Sequence, residues 1–189
     1  MKSKKGFTLI ELLAVIVILA ILLAIAIPKV TQYITNSRKD SLVTTAKDFA
    51  DTVTKNITSE IYEYPIAPND VTIVSLNAVK LEKGSSKSPF GAKWVYENSY
   101  VAVINVGTDI DPEFKYFVTL TDSKRYTIPL TEAESIKTNL IYRRSNSNKD
   151  ITSLCGSTEG KYMTINNING LEKYRTSAWN ATIYSENGC

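Results

Sequence analysis

The feature that most constrains this chain is an apolar run close to its beginning. Residues Phe7–Ile27 are apolar at every position except Thr8 and Glu11. As an α-helix this run is about 32 Å long, which is enough to cross the hydrocarbon core of a bilayer. Three lysines precede Phe7, and such a flank stays on the cytoplasmic side of the membrane. The run therefore predicts a membrane-spanning helix.

A cleaved secretory signal peptide and a plain membrane anchor are the two simpler interpretations of this run. A signal peptide has an apolar core of about 7–15 residues, whereas this run is longer and continues into an amphipathic pattern. Glu11 is the unusual residue, because a carboxylate at the bilayer centre costs about 2.5–3.5 kcal/mol and marks a functional candidate. Lys5 lies outside the run, so we expect the partner of Glu11 to lie on another molecule.

The segment Lys5–Leu13, with the sequence KGFTLIELL, combines a Gly before a Phe with a Glu four residues after that Phe. Together with the apolar run and Pro28, it closely resembles the class III signal of type IV pilins and pseudopilins. The resemblance implies that a prepilin peptidase cleaves between Gly6 and Phe7 and methylates the new amino group of Phe7. It also implies that Glu11 pairs with the amino terminus of a neighbouring subunit.

The same resemblance implies the cellular route and the partners of the chain. The precursor sits in the cytoplasmic membrane, and an assembly ATPase acting through an inner-membrane platform protein adds it to an extracellular filament. The filament is a helical homopolymer, with minor pilins as further components. Pro28 has no N–H and should break or weaken the helix locally. The resemblance implies neither a cofactor nor a metal ion.

The remaining sequence predicts a helical stem and a β-rich head. Apolar residues that recur at helical spacing form one face of the stem; they are Leu42, Ala46, Phe49, Ala50, Val53, Ile57 and Ile61. This periodicity predicts an amphipathic helix that ends near residues 60–64, before Pro65 and Pro68. The predicted divisions are a leader at 1–6, a transmembrane and filament-core helix at 7–27, the amphipathic half at 28–61 and a head at 62–189.

Strand signals run through the head. We expect strands at 71–76, 161–165 and 178–184, a hairpin of 94–96 with 100–106, a hairpin of 114–121 with 125–128, and loops at 83–89, 143–150 and 166–170. Thr131 and Glu134 fit a helix-capping pattern, which predicts a short helix to about Lys137. The fold class is α+β: a pilin fold in which the second half of a long amino-terminal helix packs on an antiparallel β-sheet head.

Cys155 and Cys189 could form a disulfide if the head lies outside the cytoplasm. Closing that loop would contribute about 3–4 kcal/mol by the chain-entropy model. Pilins often have a carboxy-terminal disulfide loop, so the resemblance favours the pair. Two free thiols are the alternative.

Composition argues against an enzyme. The chain has no histidine, which removes the commonest general base and metal ligand. The net charge of +3 equals the three lysines before Phe7, so the remainder is formally neutral and a nucleic-acid partner is not expected.

Two charged clusters have simple interpretations. A modest basic cluster, which we interpret as a solvated face, consists of Lys137, Arg143, Arg144 and Lys149. The acidic segment 107–113 lacks calcium-loop spacing, and we interpret it as a turn.

The sequence thus predicts a structural subunit of a type IV pilus filament that serves adhesion, twitching motility or biofilm formation. The alternative is a pseudopilin of a type II secretion or DNA-uptake system. A membrane-anchored binding module is a third hypothesis, which predicts no cleavage at Gly6 and no polymer.

Overall fold

The computed structural model describes residues 6–81, 86–144, 161–165, 168, 170–174 and 178–185. The chain divides into two compact units, residues 1–38 and residues 39–189. Cys155 and Cys189 lie outside the described residues, as do most of the loop predicted at 143–150 and parts of those at 83–89 and 166–170.

One helix, α1, covers Leu9–Thr58 and ends slightly earlier than the sequence predicts. Glu60 has a left-handed backbone with φ of 59°. The amide of Ile61 donates to the carbonyl of Asn56 and the amide of Glu60 donates to that of Ile57, both at 2.9 Å. These two bonds form a Schellman motif, which satisfies the last carbonyls of the helix.

The amphipathic face of α1 is confirmed for six of its seven predicted residues. Leu42, Ala46, Phe49, Ala50, Val53 and Ile57 are all buried. Ile61 is 59% exposed, so its assignment to this face is wrong. Because the helix has already ended, Tyr62 turns inward instead, and its hydroxyl donates to the carbonyl of Ala78 at 2.8 Å.

The second unit contains a seven-stranded sheet. Its strands are β1 (Asp70–Ser75), β2 (Tyr100–Asn105), β3 (Phe114–Thr121), β4 (Tyr126–Glu132), β5 (Tyr142–Arg143), β6 (Lys161–Ile165) and β7 (Trp179–Tyr184). Their order across the sheet is β5-β4-β3-β2-β1-β7-β6. The predicted α+β class is confirmed, as are the separate strands at β1, β6 and β7 and the hairpin of β3 with β4. The sheet departs from the antiparallel expectation at one place, where β1 and β7 pair in parallel.

Both faces of the central strands are covered. Val101 and Val103 of β2 belong to the cluster formed with the buried face of α1. Tyr100, Ala102 and Ile104 of the same strand belong to a second cluster, which also contains Ile168 and Leu171. Strands covered on both faces have continuous rather than alternating apolar sequence. This accounts for the unbroken YVAVI of β2.

Two predicted elements of the head are wrong. The expected hairpin of 94–96 with 100–106 is replaced by a 3-10 turn at Tyr96–Asn98, and Trp94 instead forms an isolated bridge with Asp122. The expected helix from Thr131 is a single 3-10 turn at Ala133–Ser135 without a side-chain cap. Thr131 pairs with Val118 within the sheet, so strand pairing overrides the local capping pattern.

Candidate processing and assembly segment

The start of α1 is held by hydrogen bonds between Thr8 and Glu11. The backbone N–H and the hydroxyl of Thr8 donate to Oε2 of Glu11 at 2.8 and 2.7 Å. In return, the backbone N–H of Glu11 donates to the Thr8 hydroxyl oxygen at 3.3 Å. This reciprocal pattern is a capping box, which satisfies two backbone N–H groups at the helix start.

Glu11 therefore has a partner within its own chain, contrary to the expectation from the sequence. The signal that could have revealed it is the Thr-x-x-Glu spacing of residues 8–11. Both bonds from Thr8 end on the same carboxylate oxygen. Since a carboxylate has about four lone-pair sites on its two oxygens, the bonds to Thr8 are compatible with a further donor. Pairing with the amino terminus of a neighbouring subunit stays a prediction.

Gly6 and Phe7 lie just before α1, in backbone that is not helical. Phe7 is 79% exposed, and a side chain added at Gly6 would meet nothing within 4 Å. The peptide bond between them is thus open to an enzyme. Nothing in the described structure requires glycine at position 6, so any such requirement comes from the processing step.

The apolar side chains of α1 that follow are exposed. The large apolar residues from Leu9 to Ile34 have exposed fractions between 44 and 84%. This part of the helix is long and apolar enough to cross a membrane. An apolar surface of this extent marks an interaction with lipid or with other protein chains.

Helix α1 is continuous through Pro28. Pro28 has no N–H, so the helix lacks the bond that would reach the carbonyl of Ala24. Thr31 and Thr35 donate their hydroxyls to the carbonyls of Ile27 and Thr31, each at 2.9 Å. Hydroxyl bonds of this kind tend to bend a helix. The break predicted at Pro28 is not part of this structure, and weakening of the helix in an assembled state stays a prediction.

Residues 1–27 match the family model of the prokaryotic N-terminal methylation motif. The chain carries a class III signal. This finding is consistent with a type IV pilin-like prepilin, as the sequence predicts, and it supports a type IV pilin or a pseudopilin. The motif implies prepilin peptidase processing, a membrane-anchored precursor and assembly into a pilin-type polymer. It also implies a structural subunit rather than an enzyme. No solved structure matches the chain.

The acidic segment 107–113 lies in the loop that connects β2 with β3. Within the part of the chain that the structure describes, no group of three acidic, Cys or His residues could hold a metal ion. The cleavage site, the methylation of Phe7 and the proposed disulfide stay predictions.

Proposed function

We propose that this protein is the structural subunit of an extracellular type IV pilus filament. The observation that carries the proposal is the contrast within α1. A methylation motif and an exposed apolar helix lie in the first unit, while the described residues of the second unit form two buried apolar clusters of their own. A head that needs no help to bury its core can be carried outside the cell by a helix that binds other helices.

The apolar run serves first as a membrane anchor and then as the filament core. Burial of apolar area that would otherwise face water contributes about 25 cal/mol per Å². In lipid this gain is much smaller, because acyl chains are as apolar as leucine. Extraction from the membrane therefore requires an external energy source, which we assign to an assembly ATPase and a platform protein.

Pairing through Glu11 fixes the axial position at which a new subunit joins the filament. After cleavage, the amino group of Phe7 is positively charged and lies four residues before Glu11 in the sequence. Either charge alone is unfavourable among apolar side chains, and pairing across subunits removes that penalty. The Thr8 bonds hold the carboxylate at the helix start, which supports this proposal.

The size of the head favours a pilin over a pseudopilin. The predicted head at 62–189 is larger than the stem that precedes it, as suits a surface fibre that contacts other cells or surfaces. Adhesion, twitching motility and biofilm formation are the roles we assign to it. A pseudopilin of a type II secretion or DNA-uptake system is the alternative. Long surface fibres in negative-stain micrographs, absent after deletion of the gene, would support the pilin.

The experiment that tests the proposal is mass spectrometry of the amino terminus in sheared surface fractions. N-methyl-Phe7 in a sheared, high-molecular-weight fraction is the expected result. An intact Met1, with the protein confined to membranes, would refute the filament and leave a membrane-anchored binding module.

We also propose that Cys155 and Cys189 form a disulfide. The intact mass of the exported protein should rise by about 2 Da on reduction, since two hydrogens are added when the bond opens. An unchanged mass would identify two free thiols.

A further inference from the structure

Basic residues from separate parts of the sequence meet at one end of the sheet. They are Lys87, Lys93, Lys124, Arg125, Arg143 and Arg144, and we call them the basic end. Three contacts join them. Lys87 and Lys93 form an isolated β-bridge, the amide of Ser123 donates to the carbonyl of Lys93, and the side-chain Nε of Arg143 donates to the carbonyl of Lys124 at 3.2 Å. Five of the six are exposed and Arg144 is half-buried.

This basic end differs from the cluster that the sequence suggests. Lys124 and Arg125 join Arg143 and Arg144 because β5 pairs with the start of β4, whereas Lys149 lies outside the described residues. Asp122 lies in the same turn but is buried. Its carboxylate accepts hydrogen bonds from the hydroxyl of Ser88 and the amide of Tyr126, so its charge is directed inward.

The opposite end of β3 carries acidic and apolar side chains. Asp109, Asp111 and Glu113 are all exposed in the loop between β2 and β3, and we call them, with Ile110 and Ile66, the acidic end. Ile110 is 96% exposed and Ile66 is 74% exposed.

Nearby, Lys115 and Glu132 form an ion pair at 2.9 Å, and the hydrogen bond from this pair raises the pKa of the Lys115 amine. The two charges of that pair offset each other. Lys115 also interacts electrostatically with Glu113, so the charge that the acidic end offers to a partner comes from Asp109 and Asp111.

The acidic loop is held in one conformation by the buried side chain of Asn105. Its Oδ1 accepts the amides of Gly107 and Glu113 at 3.0 and 3.2 Å, and its Nδ2 donates to the carbonyl of Ile66 at 2.8 Å. A side chain at Gly107 would collide with the backbone of Asp111 and Glu113. A surface that is already ordered loses little conformational entropy when it binds a partner.

The two ends do not neutralise each other within one subunit. Strand β3 has eight residues, so its ends are about 23 Å apart. At physiological salt, charges are screened over about 8 Å. Lys93 and Arg143 of the basic end and Asp109 and Asp111 of the acidic end are exposed. Each end can therefore attract an opposite charge on a second molecule, at a distance where its own counterpart has little effect.

We propose that the acidic end of one copy of this chain docks on the basic end of another copy. This inference rests on the proposed filament, which it deepens by naming a contact between heads. The contact is heterologous, which is the type that propagates into a fibre rather than closing as a dimer. Tyr142, which is 49% exposed beside Arg143, offers apolar surface for Ile110. A nucleic acid on the basic end would leave Ile66 and Ile110 uncovered, so a second copy is the better partner.

Charge reversal in the full-length chain tests this contact. One variant reverses the basic end (Lys93→Glu with Arg143→Glu), a second reverses the acidic end (Asp109→Lys with Asp111→Lys), and a third combines all four changes. The control, Lys47→Glu with Lys55→Glu, alters net charge as the first variant does, on the exposed side of α1. The measurement is the amount of processed protein in sheared filaments, relative to processed protein in membranes.

Each single-end variant should lose about tenfold or more of its filaments, because like charges would face each other in the contact. The fourfold variant should recover them, since complementarity is restored, and the control should resemble the wild type. Recovery would also show that the reversed heads fold.

Several results would overturn the contact. These are normal filaments from either single-end variant, no recovery in the fourfold variant, or an equal loss in the control. In each case wild-type filaments would leave the proposed function intact. If the wild type itself forms no filaments, the proposed function is refuted and the contact with it.

Discussion

The two parts of α1 differ completely in burial although they belong to one continuous helix. Leu19 and Ile25, in the first part, are 50 and 66% exposed, whereas Phe49 and Val53, in the second, are fully buried. The first part is apolar on all sides, and the second is apolar on one face only. A helix with one apolar face can bury that face within its own domain, while a helix that is apolar all round requires contact with lipid or other chains. The pattern of apolar residues therefore separates intramolecular packing from assembly.

The largest expected effect is the loss of head stability when Phe49 is replaced. Phe49→Ala should reduce the free energy of unfolding of the head by about 3–5 kcal/mol, because it leaves a cavity beneath the sheet. The matched change in the first part, Leu19→Ala, should leave head stability unchanged. Denaturation of the full chain in detergent, followed by the fluorescence of the buried Trp94 and Trp179, measures both. Equal losses would contradict the division between the two parts.

Pro28 provides the next test, since it lies between the two parts. Pro28→Ala restores the missing N–H, and we expect the local helix to gain up to about 3 kcal/mol. Hydrogen exchange of the flanking amides in detergent should slow accordingly. Ile27→Ala is the control, because it keeps the proline. Unchanged exchange in Pro28→Ala would mean that the helix already compensates for the missing bond.

Glu11 should affect assembly rather than head stability. Glu11→Ala removes the charge and the bond that the Thr8 amide donates to the carboxylate, while the amide at position 11 keeps the Thr8 hydroxyl as its acceptor. We expect it to weaken filament formation while cleavage after Gly6 continues. Glu11→Gln keeps an acceptor for Thr8 but not the charge, so it should be equally defective if the charge pairs with a neighbouring amino terminus. Filament yield and the mass of the amino terminus measure the two effects, and normal filaments from Glu11→Gln would refute the pairing.

The smallest expected change in stability is at Glu60, just after the carboxy-terminal end of α1. Glu60→Gly should stabilise the head by about 0.5–1 kcal/mol, because glycine adopts the left-handed conformation without the steric cost that Glu60 bears. The midpoint of denaturation should rise, with an unchanged denaturant slope. A lower midpoint would indicate that the side chain of Glu60 contributes more than the backbone conformation costs.

The two Thr-x-x-Glu segments explain how far the sequence could predict this molecule. At Thr8 the pattern precedes a long helix and forms a capping box, which gives Glu11 a partner within its own chain. At Thr131 the same pattern predicted a helix, but the register with β3 places Thr131 in a strand. Local patterns identify a cap only where no long-range pairing competes, and such pairing is not visible in one sequence.

Long-range pairing also accounts for the other differences. The periodic face of α1 and the hairpin of β3 with β4 are local in sequence and were predicted. The parallel pairing of β1 with β7 joins residues more than a hundred positions apart. The basic end likewise joins Lys93 to Arg143 only through the fold, so its charge could not be recognised from the composition of any one segment.

The position of β7 has a consequence for the order in which the protein is made. Strand β1 is the next element after the helix, yet its second neighbour, β7, is synthesised more than a hundred residues later. Until that strand arrives, β1 exposes an unpaired edge of the kind that recruits foreign strands and aggregates. The anchor can enter the membrane early, but the sheet of the head must wait for β7. A prematurely terminated chain would thus be tethered with an open sheet, a state that quality-control proteases can recognise.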